Sequence, residues 1–416
     1  MNKKNLNIHI IGGGISGLVA ARVLENYGFS PQLIEATERV GGRVKTDVID
    51  GYQLDQGFQV MLTAYPAVQN YLDYKALDLQ KFLPGAAIFS ENTQKLIGDP
   101  LRTPSLVFST LFSGIGSLSD KFKILKLNFI LKKKTLSDIF TEPEKTTLSY
   151  LRDFGFSKAI IEDFFSPFFS GIFLETQLET SSRMFEFVYK MFGAGHATVP
   201  KAGMEAIPKQ LLSQLKTTSF YYNTKVSAVK DGEISLENGR VLESDFTILT
   251  SSATELVSNL KNQSTAWKSC VTLYFETHSR VIHKPLIGLI ARPNTLVNNI
   301  VYSSSLKTES TPAYELLCVT VIDDQSLSDE DLATAVEAEL KTYCKISTRR
   351  LIKQYRIPKA LPKLTDLKYE MMPSETQLTS RIYIAGDTQL NASLNAAMIA
   401  GERAALAVVE AAAKSL

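Results

Sequence analysis

The stretch "LNIHIIGGGISGLVAARVLENYGFSPQLIEA", residues 6–36, decides the fold. "LNIHII" is a short apolar run that enters a glycine turn, and it reads as a first strand. "LVAARVLENYG" carries apolar residues at helical spacing, and "SPQLIEA" reads as a second strand ending in Glu35, next to Ala36. Strand, helix and strand in that order form a βαβ unit. Gly12, Gly14 and Gly17 fit G-x-G-x-x-G. The first allows the tight turn, the second lets the backbone approach a pyrophosphate, and the third lets helix and strand pack closely. Ile15 and Ser16 open the helix, whose free N–H groups suit phosphate oxygens. Glu35 stands roughly twenty residues beyond the turn, where a carboxylate binds ribose hydroxyls. A dinucleotide site is expected.

Two further stretches share this grammar. "ERVGGRVKT" places Gly41, Gly42 and Arg43 just after the acid; two glycines permit another close backbone approach, and an arginine can bridge phosphate oxygens. At the opposite end, "IYIAGDTQLNASLNAAMIAGERAA", residues 382–405, reads as a strand, then Gly386-Asp387, a loop, and a helix opening on small residues. One extended ligand would draw both ends together.

The bulk properties suit two interleaved domains. The chain has 416 residues, 44% hydrophobic and 21% charged, with a formal net charge of +2. No basic stripe marks a nucleic-acid binder, and Lys132-Lys133-Lys134 reads as solvated helix surface. Cys270, Cys318 and Cys344 are scattered, and with His9, His196, His278 and His283 they form no disulfide framework or metal-ligand pattern. No apolar stretch reaches the roughly twenty residues of a membrane-spanning helix. The default expectation is a cytoplasmic protein.

In mid-chain, residues 100–200 are apolar with basic punctuation, and "FFSPFFSGIFLETQLETSSRMFEFVYKMFGAG" is rich in phenylalanine. Two readings stand: a packed helical core, or an apolar substrate tunnel or membrane-facing surface. From "YYNTKVSAVKDGEISLENGRVLESDFTILTSS" the period drops to two, with "KDG" and "ENG" as turns, so a small antiparallel meander is expected. "SDEDLATAVEAELKTYC" predicts a helix capped by Ser328.

Together these motifs resemble the FAD-dependent superfamily of amine oxidases, protoporphyrinogen oxidases and phytoene desaturases. "PFFSGIFLETQLETSSRMFEF" followed by "VPKAGMEAIPKQL" is closest in character to the protoporphyrinogen oxidase and desaturase branch. The resemblance implies an α/β fold: a Rossmann-like FAD-binding domain interleaved with a substrate domain of mixed sheet plus helices. The first would take residues 1–75, 200–265 and 370–416; the second, 76–199 and 266–369. It implies that Gly386 and Asp387 lie near the pyrophosphate and ribityl chain. Ser393, Leu394 and Asn395 would start a helix whose positive end meets the flavin ring. Val226 would contact adenine through its backbone, and Gly57, Phe58 and Gln59 would lie against the flavin. Covalent attachment in relatives uses a cysteine near the C-terminal motif; none stands there, so the FAD is expected to be non-covalent. Amine oxidases also carry a lysine that holds a water against the flavin, for which Lys201 and Lys307 are the candidates.

The implied activity is hydride transfer from a substrate C–H to flavin N5, with catalytic side chains unassigned. The phenylalanine-rich middle favours a bulky apolar substrate, a polyene or a tetrapyrrole, with O2 or another electron acceptor and a peripheral membrane contact left open. Three alternatives remain: an amine oxidase, an isomerase using reduced FAD, and a non-catalytic lipid- or protein-binding scaffold of the GDP-dissociation-inhibitor type.

Overall fold

The computed structural model describes residues 6–90, 93–99, 102–103, 106, 109–110, 113–251, 253–260, 265–310, 312–322 and 326–415. The sheet that the opening stretch begins has five strands, in the order Ser219–Tyr221, Gln32–Ile34, Ile8–Ile11, Phe246–Leu249 and Ile382–Ile384. All four pairings are parallel. Strands covered on both faces read as continuous apolar runs, and "IHII" and "FTIL" are buried at every residue. Ile8, Ile10, Leu33 and Ile248 face the core beneath the helix Ile15–Asn26. Ile11, Ile34, Leu249 and Ile382 face the opposite way, onto Val226, Val229, Ile234 and Leu236 of the meander. That meander is antiparallel, as its period of two predicts.

The last helix, Leu394–Ser415, packs along the first. They meet at Gly401, where an added Cβ would come within 2.3 Å of the Ser16 carbonyl oxygen. The first and last helices are therefore neighbours.

A second sheet has seven strands, ordered Thr348–Pro362, Trp267–Thr277, Glu315–Val321, Val297–Tyr302, Ile287–Ile290, Gly85–Ser90 and Thr93–Gly98. One face carries Val271, Leu273, Phe275, Leu317 and Val319, buried against Leu332, Val336 and Leu340 of the helix Asp329–Cys344. Ser328 caps that helix, accepting the Asp331 amide. Along the same strands Cys270, Thr320 and Asn299 alternate to the other face. The hairpin Thr46–Ile49 and Tyr52–Asp55 buries Tyr52 and Leu54 against this second face, and the Tyr52 hydroxyl donates to Glu276 Oε1 at 2.7 Å.

The phenylalanine-rich helices contribute both to the packed core and to a cavity wall. Phe165, Phe169, Phe185 and Phe187 are fully buried core. Phe168, Phe173 and Phe192 line a cavity. A small sheet of Met61–Leu62, Ala197–Pro200 and Leu79–Lys81 ties these helices to the segment after the first hairpin.

Candidate functional site

The cavity, of about 1610 Å³, runs from the carboxyl ends of the parallel strands to the phenylalanine-rich helices. A typical pocket for one small molecule spans about 300–1,000 Å³, so this one has room for a large cofactor and a second ligand. Crevices outside the carboxyl ends of parallel strands are where open α/β sheets bind ligands.

At that end the wall is made by Gly12, Gly14, Ile15, Ser16 and Glu35, with Gly41, Gly42 and Arg43 beside them. Gly12 has φ +107°, a region that side chains rarely adopt, and an added Cβ would sit 2.7 Å from Thr250 Oγ1. Gly14 differs: an added Cβ there meets nothing within 4 Å, because it points into open cavity. No side chain caps the helix Ile15–Asn26, leaving its first N–H groups for a ligand. A bare helix end, a bare glycine and a carboxylate around one space suit the pyrophosphate and ribose of a dinucleotide. The Glu35 carboxylate is held in place, accepting from the Gly13 amide at 2.7 Å, the Thr37 amide at 2.9 Å and the Thr37 hydroxyl at 2.8 Å.

The far end of the chain closes this wall. Arg43 Nη2 lies 2.5 Å from Asp387 Oδ1, and its guanidinium carbon is 5.2 Å from the Trp267 ring centroid. Gly386 precedes with φ +123°. Ser393 then caps the last helix, its hydroxyl accepting the Ala396 amide at 3.0 Å, so Ser393, Leu394 and Ala397 face the cavity. Gly57, Phe58 and Gln59 lie in the same wall.

Four of the expected cofactor-binding residues do not line it, each for a physical reason. Gly17 sits behind the turn, where an added Cβ would come within 2.1 Å of the Gly12 carbonyl oxygen. Ala36 is exposed beyond the strand end. Val226 is buried with Ile11, Ile34 and Leu249 between sheet and meander. Asn395 is a strut: it is fully buried, and its Oδ1 accepts the Ala67 amide at 2.9 Å.

The deep end is apolar on one side, with Phe168, Ile172, Phe173, Met184, Val188 and Phe192, and mixed on the other. There the seven-stranded sheet presents Lys268, Cys270, Asn299 and Thr320. Sequence reasoning missed all four as a group, because only strand pairing brings them together. Lys201 and Lys307 line a separate pocket of about 50 Å³. Of the lysines on the main cavity, Lys268 stands on the seven-stranded sheet beside Cys270. Burial lowers its pKa, and its ammonium donates to the Phe173 carbonyl at 2.9 Å and the Thr180 hydroxyl at 3.0 Å. Burial pushes the Cys270 thiol up to about 11, so it stays protonated at neutral pH. Asn299 is 3% exposed, and its Oδ1 has no hydrogen-bond partner. Behind Phe58, Asp55 is pushed up to about 6 by burial while accepting from the Thr46 hydroxyl and the Met204 amide. That carboxylate ties the hairpin to the "PKAGM" turn.

Comparison with known proteins extends this picture. The chain is 24% identical over 407 residues to a coproporphyrinogen III oxidase of Bacillus subtilis, covering 83% of this chain and 85% of that protein. It is 30% identical over 168 residues to protoporphyrinogen oxidase 2 of Arabidopsis thaliana, which is 39% of this chain and only 32% of the plant protein. The match thus spans about a third of that relative's length. A crystal structure of a putative protoporphyrinogen oxidase from Exiguobacterium has the same fold, with a TM-score of 0.70 at 18% identity over 97% of this chain and 99% of the other. The family model for flavin containing amine oxidoreductases matches residues 15–409, nearly the whole chain, and the protein belongs to that family.

Proposed function

We propose that the chain binds FAD non-covalently and oxidises a bulky apolar molecule, a substrate C–H yielding hydride to flavin N5, with O2 or another compound as final acceptor. One observation carries this reading. A single cavity of about 1610 Å³ joins the glycine-lined cradle to a chamber walled by apolar side chains. In this reading Gly12, Gly14, Ile15 and Ser16 hold the pyrophosphate with backbone N–H groups, and Glu35 binds the adenosine ribose. Arg43 and Asp387 clamp the middle of the cofactor, and the last helix points its positive end at the flavin ring. Gly57, Phe58 and Gln59 cover the ring, while Phe168, Phe173 and Phe192 exclude water from the substrate. The FAD-binding domain would comprise residues 1–75, 200–265 and 370–416, and the substrate domain 76–199 and 266–369.

The near full-length likeness to a coproporphyrinogen III oxidase favours a porphyrinogen-type tetrapyrrole over a polyene. The orphaned Asn299 oxygen agrees, since a pyrrole N–H could satisfy it and a hydrocarbon polyene could not. An amine substrate is the second reading, favoured by the half-buried Lys268 on the chamber wall.

The test begins with the visible spectrum of the purified protein, repeated on the supernatant after denaturation. A flavin spectrum that moves to the supernatant supports non-covalent FAD. Porphyrinogens and amines are then compared as reductants of the bound flavin under argon. A protein that stays colourless when FAD is added overturns the enzyme reading and favours a lipid- or protein-binding scaffold.

A further inference from the structure

The helix Leu118–Lys133 carries apolar stripes on two opposite sides. Leu127 and Leu131 are buried in the core that also holds Phe185, Phe187 and Val188. On the far side Leu118, Phe122, Leu125 and Phe129 recur at helical spacing and form one ridge. They are 66%, 71%, 42% and 61% exposed, and Ile130 beside them is 36% exposed. Among the described residues, this one helix holds five of the eleven large apolar side chains that are exposed. Scattered exposure is ordinary, but a contiguous ridge marks an interaction surface.

The charges on this helix are one-sided. At 3.6 residues per turn, Lys121 and Lys132 flank one shoulder of the ridge, and Lys126 and Lys133 flank the other. The Lys133 ammonium lies 4.2 Å from the Phe129 ring centroid. The helix has one acid, Asp120, which is turned inward and fully buried, accepting from Ser117 and Ser157. Those hydrogen bonds hold its carboxyl down to about 2, so it stays ionised but faces inward, and the outer face of the helix carries lysine charges alone.

We propose that this ridge docks on an anionic lipid bilayer. The leucines and phenylalanines would enter the boundary between headgroups and acyl chains, and the lysines would meet lipid phosphates. A second copy of the chain fits this surface poorly, because a two-fold contact would set the lysine shoulders against their equals. No helix among the described residues is long and apolar enough to cross a membrane, so the contact is with one leaflet. The next layer inward is the helix Ser182–Ala194, whose Met184, Val188 and Phe192 line the cavity. One helix layer thus separates the lipid-facing ridge from the apolar chamber.

The test is flotation of the purified protein with vesicles of phosphatidylcholine alone or mixed with phosphatidylglycerol. Wild type should float with the anionic vesicles, less as salt rises. The double variant Phe122→Glu/Phe129→Glu should lose at least about tenfold in partitioning, with its melting temperature unchanged because both side chains are exposed. Lys126→Glu/Lys133→Glu should lose the preference for phosphatidylglycerol. Wild type that floats with neither vesicle, or Phe variants that float as wild type does, would overturn the proposal. So would a wild-type dimer that the Phe variants convert to monomer, since a second copy would then cover the ridge. Colourless protein that still floats would support the docking while sinking the flavin reading, so the two failures are separable.

Discussion

Gly14 and Gly17 are three residues apart in one turn, yet substitution should separate binding from folding. At Gly14 the backbone is extended, with φ −73° and ψ −177°, which alanine adopts without strain. An added Cβ there meets nothing within 4 Å. Gly14→Ala should therefore leave the unliganded fold as stable as wild type, or gain about 0.4–1 kcal/mol from the less flexible unfolded chain. The same methyl group would stand where a pyrophosphate must approach. Losing one or two charge-assisted hydrogen bonds to phosphate costs about 1.5–3 kcal/mol each, so FAD affinity should fall roughly tenfold at the least and about ten-thousandfold at the most. At Gly17 the added Cβ would lie 2.1 Å from the Gly12 carbonyl oxygen, which is backbone and can move only with the turn. Gly17→Ala should cost about 1–3 kcal/mol in the unliganded protein, even though alanine favours the helix. Flavin-stripped protein would be unfolded in urea and titrated with FAD by quenching of flavin fluorescence. A Gly14→Ala protein with wild-type affinity would refute the placement of pyrophosphate at this turn. One destabilised as much as Gly17→Ala would refute the geometry itself.

Three further outcomes are expected. Phe185→Ala removes a fully buried ring in contact with Phe165 and Phe169 and should cost about 3–5 kcal/mol in urea unfolding; Phe192→Ala, on the cavity wall, should cost clearly less, and equal costs would contradict the division between core and chamber. Asn299→Leu removes a buried acceptor that has no partner, so the unliganded protein should be as stable as wild type or about 1 kcal/mol more stable; a loss larger than that would mean the amide has a structural partner. His9, whose Nδ1 lies 2.9 Å from Ser244 Oγ, has its pKa lowered from 6.5 to about 4, chiefly by burial. As pH falls from 6.5 toward 4 the unfolded chain therefore takes up a proton that the folded chain refuses, so this contribution is whole above 6.5 and is lost as pH falls. Against His9→Asn, wild type should lose up to about 3 kcal/mol between pH 7 and pH 4 in urea unfolding, and a flat difference would show that His9 takes up its proton as readily in the fold as in the unfolded chain.

Local chemistry made the glycine-lined end of the cavity legible. The turn from Gly12 to Gly17, the acid at Glu35 and the Gly386-Asp387 step each carry their signal within a few residues, and the parallel sheet assembles around them. The deep end was not legible in the same way. Asn299 and Thr320 are register partners on neighbouring antiparallel strands, and Thr320 is opposite Thr272, which is opposite Tyr355 on the edge strand. Such a row exists only after strands far apart in sequence pair, and no short motif encodes it. The helix Leu118–Lys133 failed differently. Its periodicity was visible, but apolar stripes on opposite sides cancel in any measure of one-sidedness. Sequence could not say which stripe meets the core. Packing decides it, through Leu127 and Leu131.

The cradle is also the last part of the molecule that the chain can complete. Its parallel sheet draws strands from residues 8–34, 219–249 and 382–384, so every pairing beyond the first βαβ unit closes a loop of well over a hundred residues. Long loops are slow to close, and sheets of this kind are correspondingly late to form. The final strand brings Gly386 and Asp387 to the turn, and the final helix brings Gly401 against Ser16. Arg43 then finds Asp387 across a separation of 344 residues. A chain that lacks its last strand and helix retains Gly12, Gly14 and Glu35 but has neither the counter-charge for Arg43 nor the capped helix end at Ser393. In the proposed reading, dinucleotide affinity therefore belongs to the closed chain, and the N-terminal glycine motif would be half of a site whose other half is encoded at the far end.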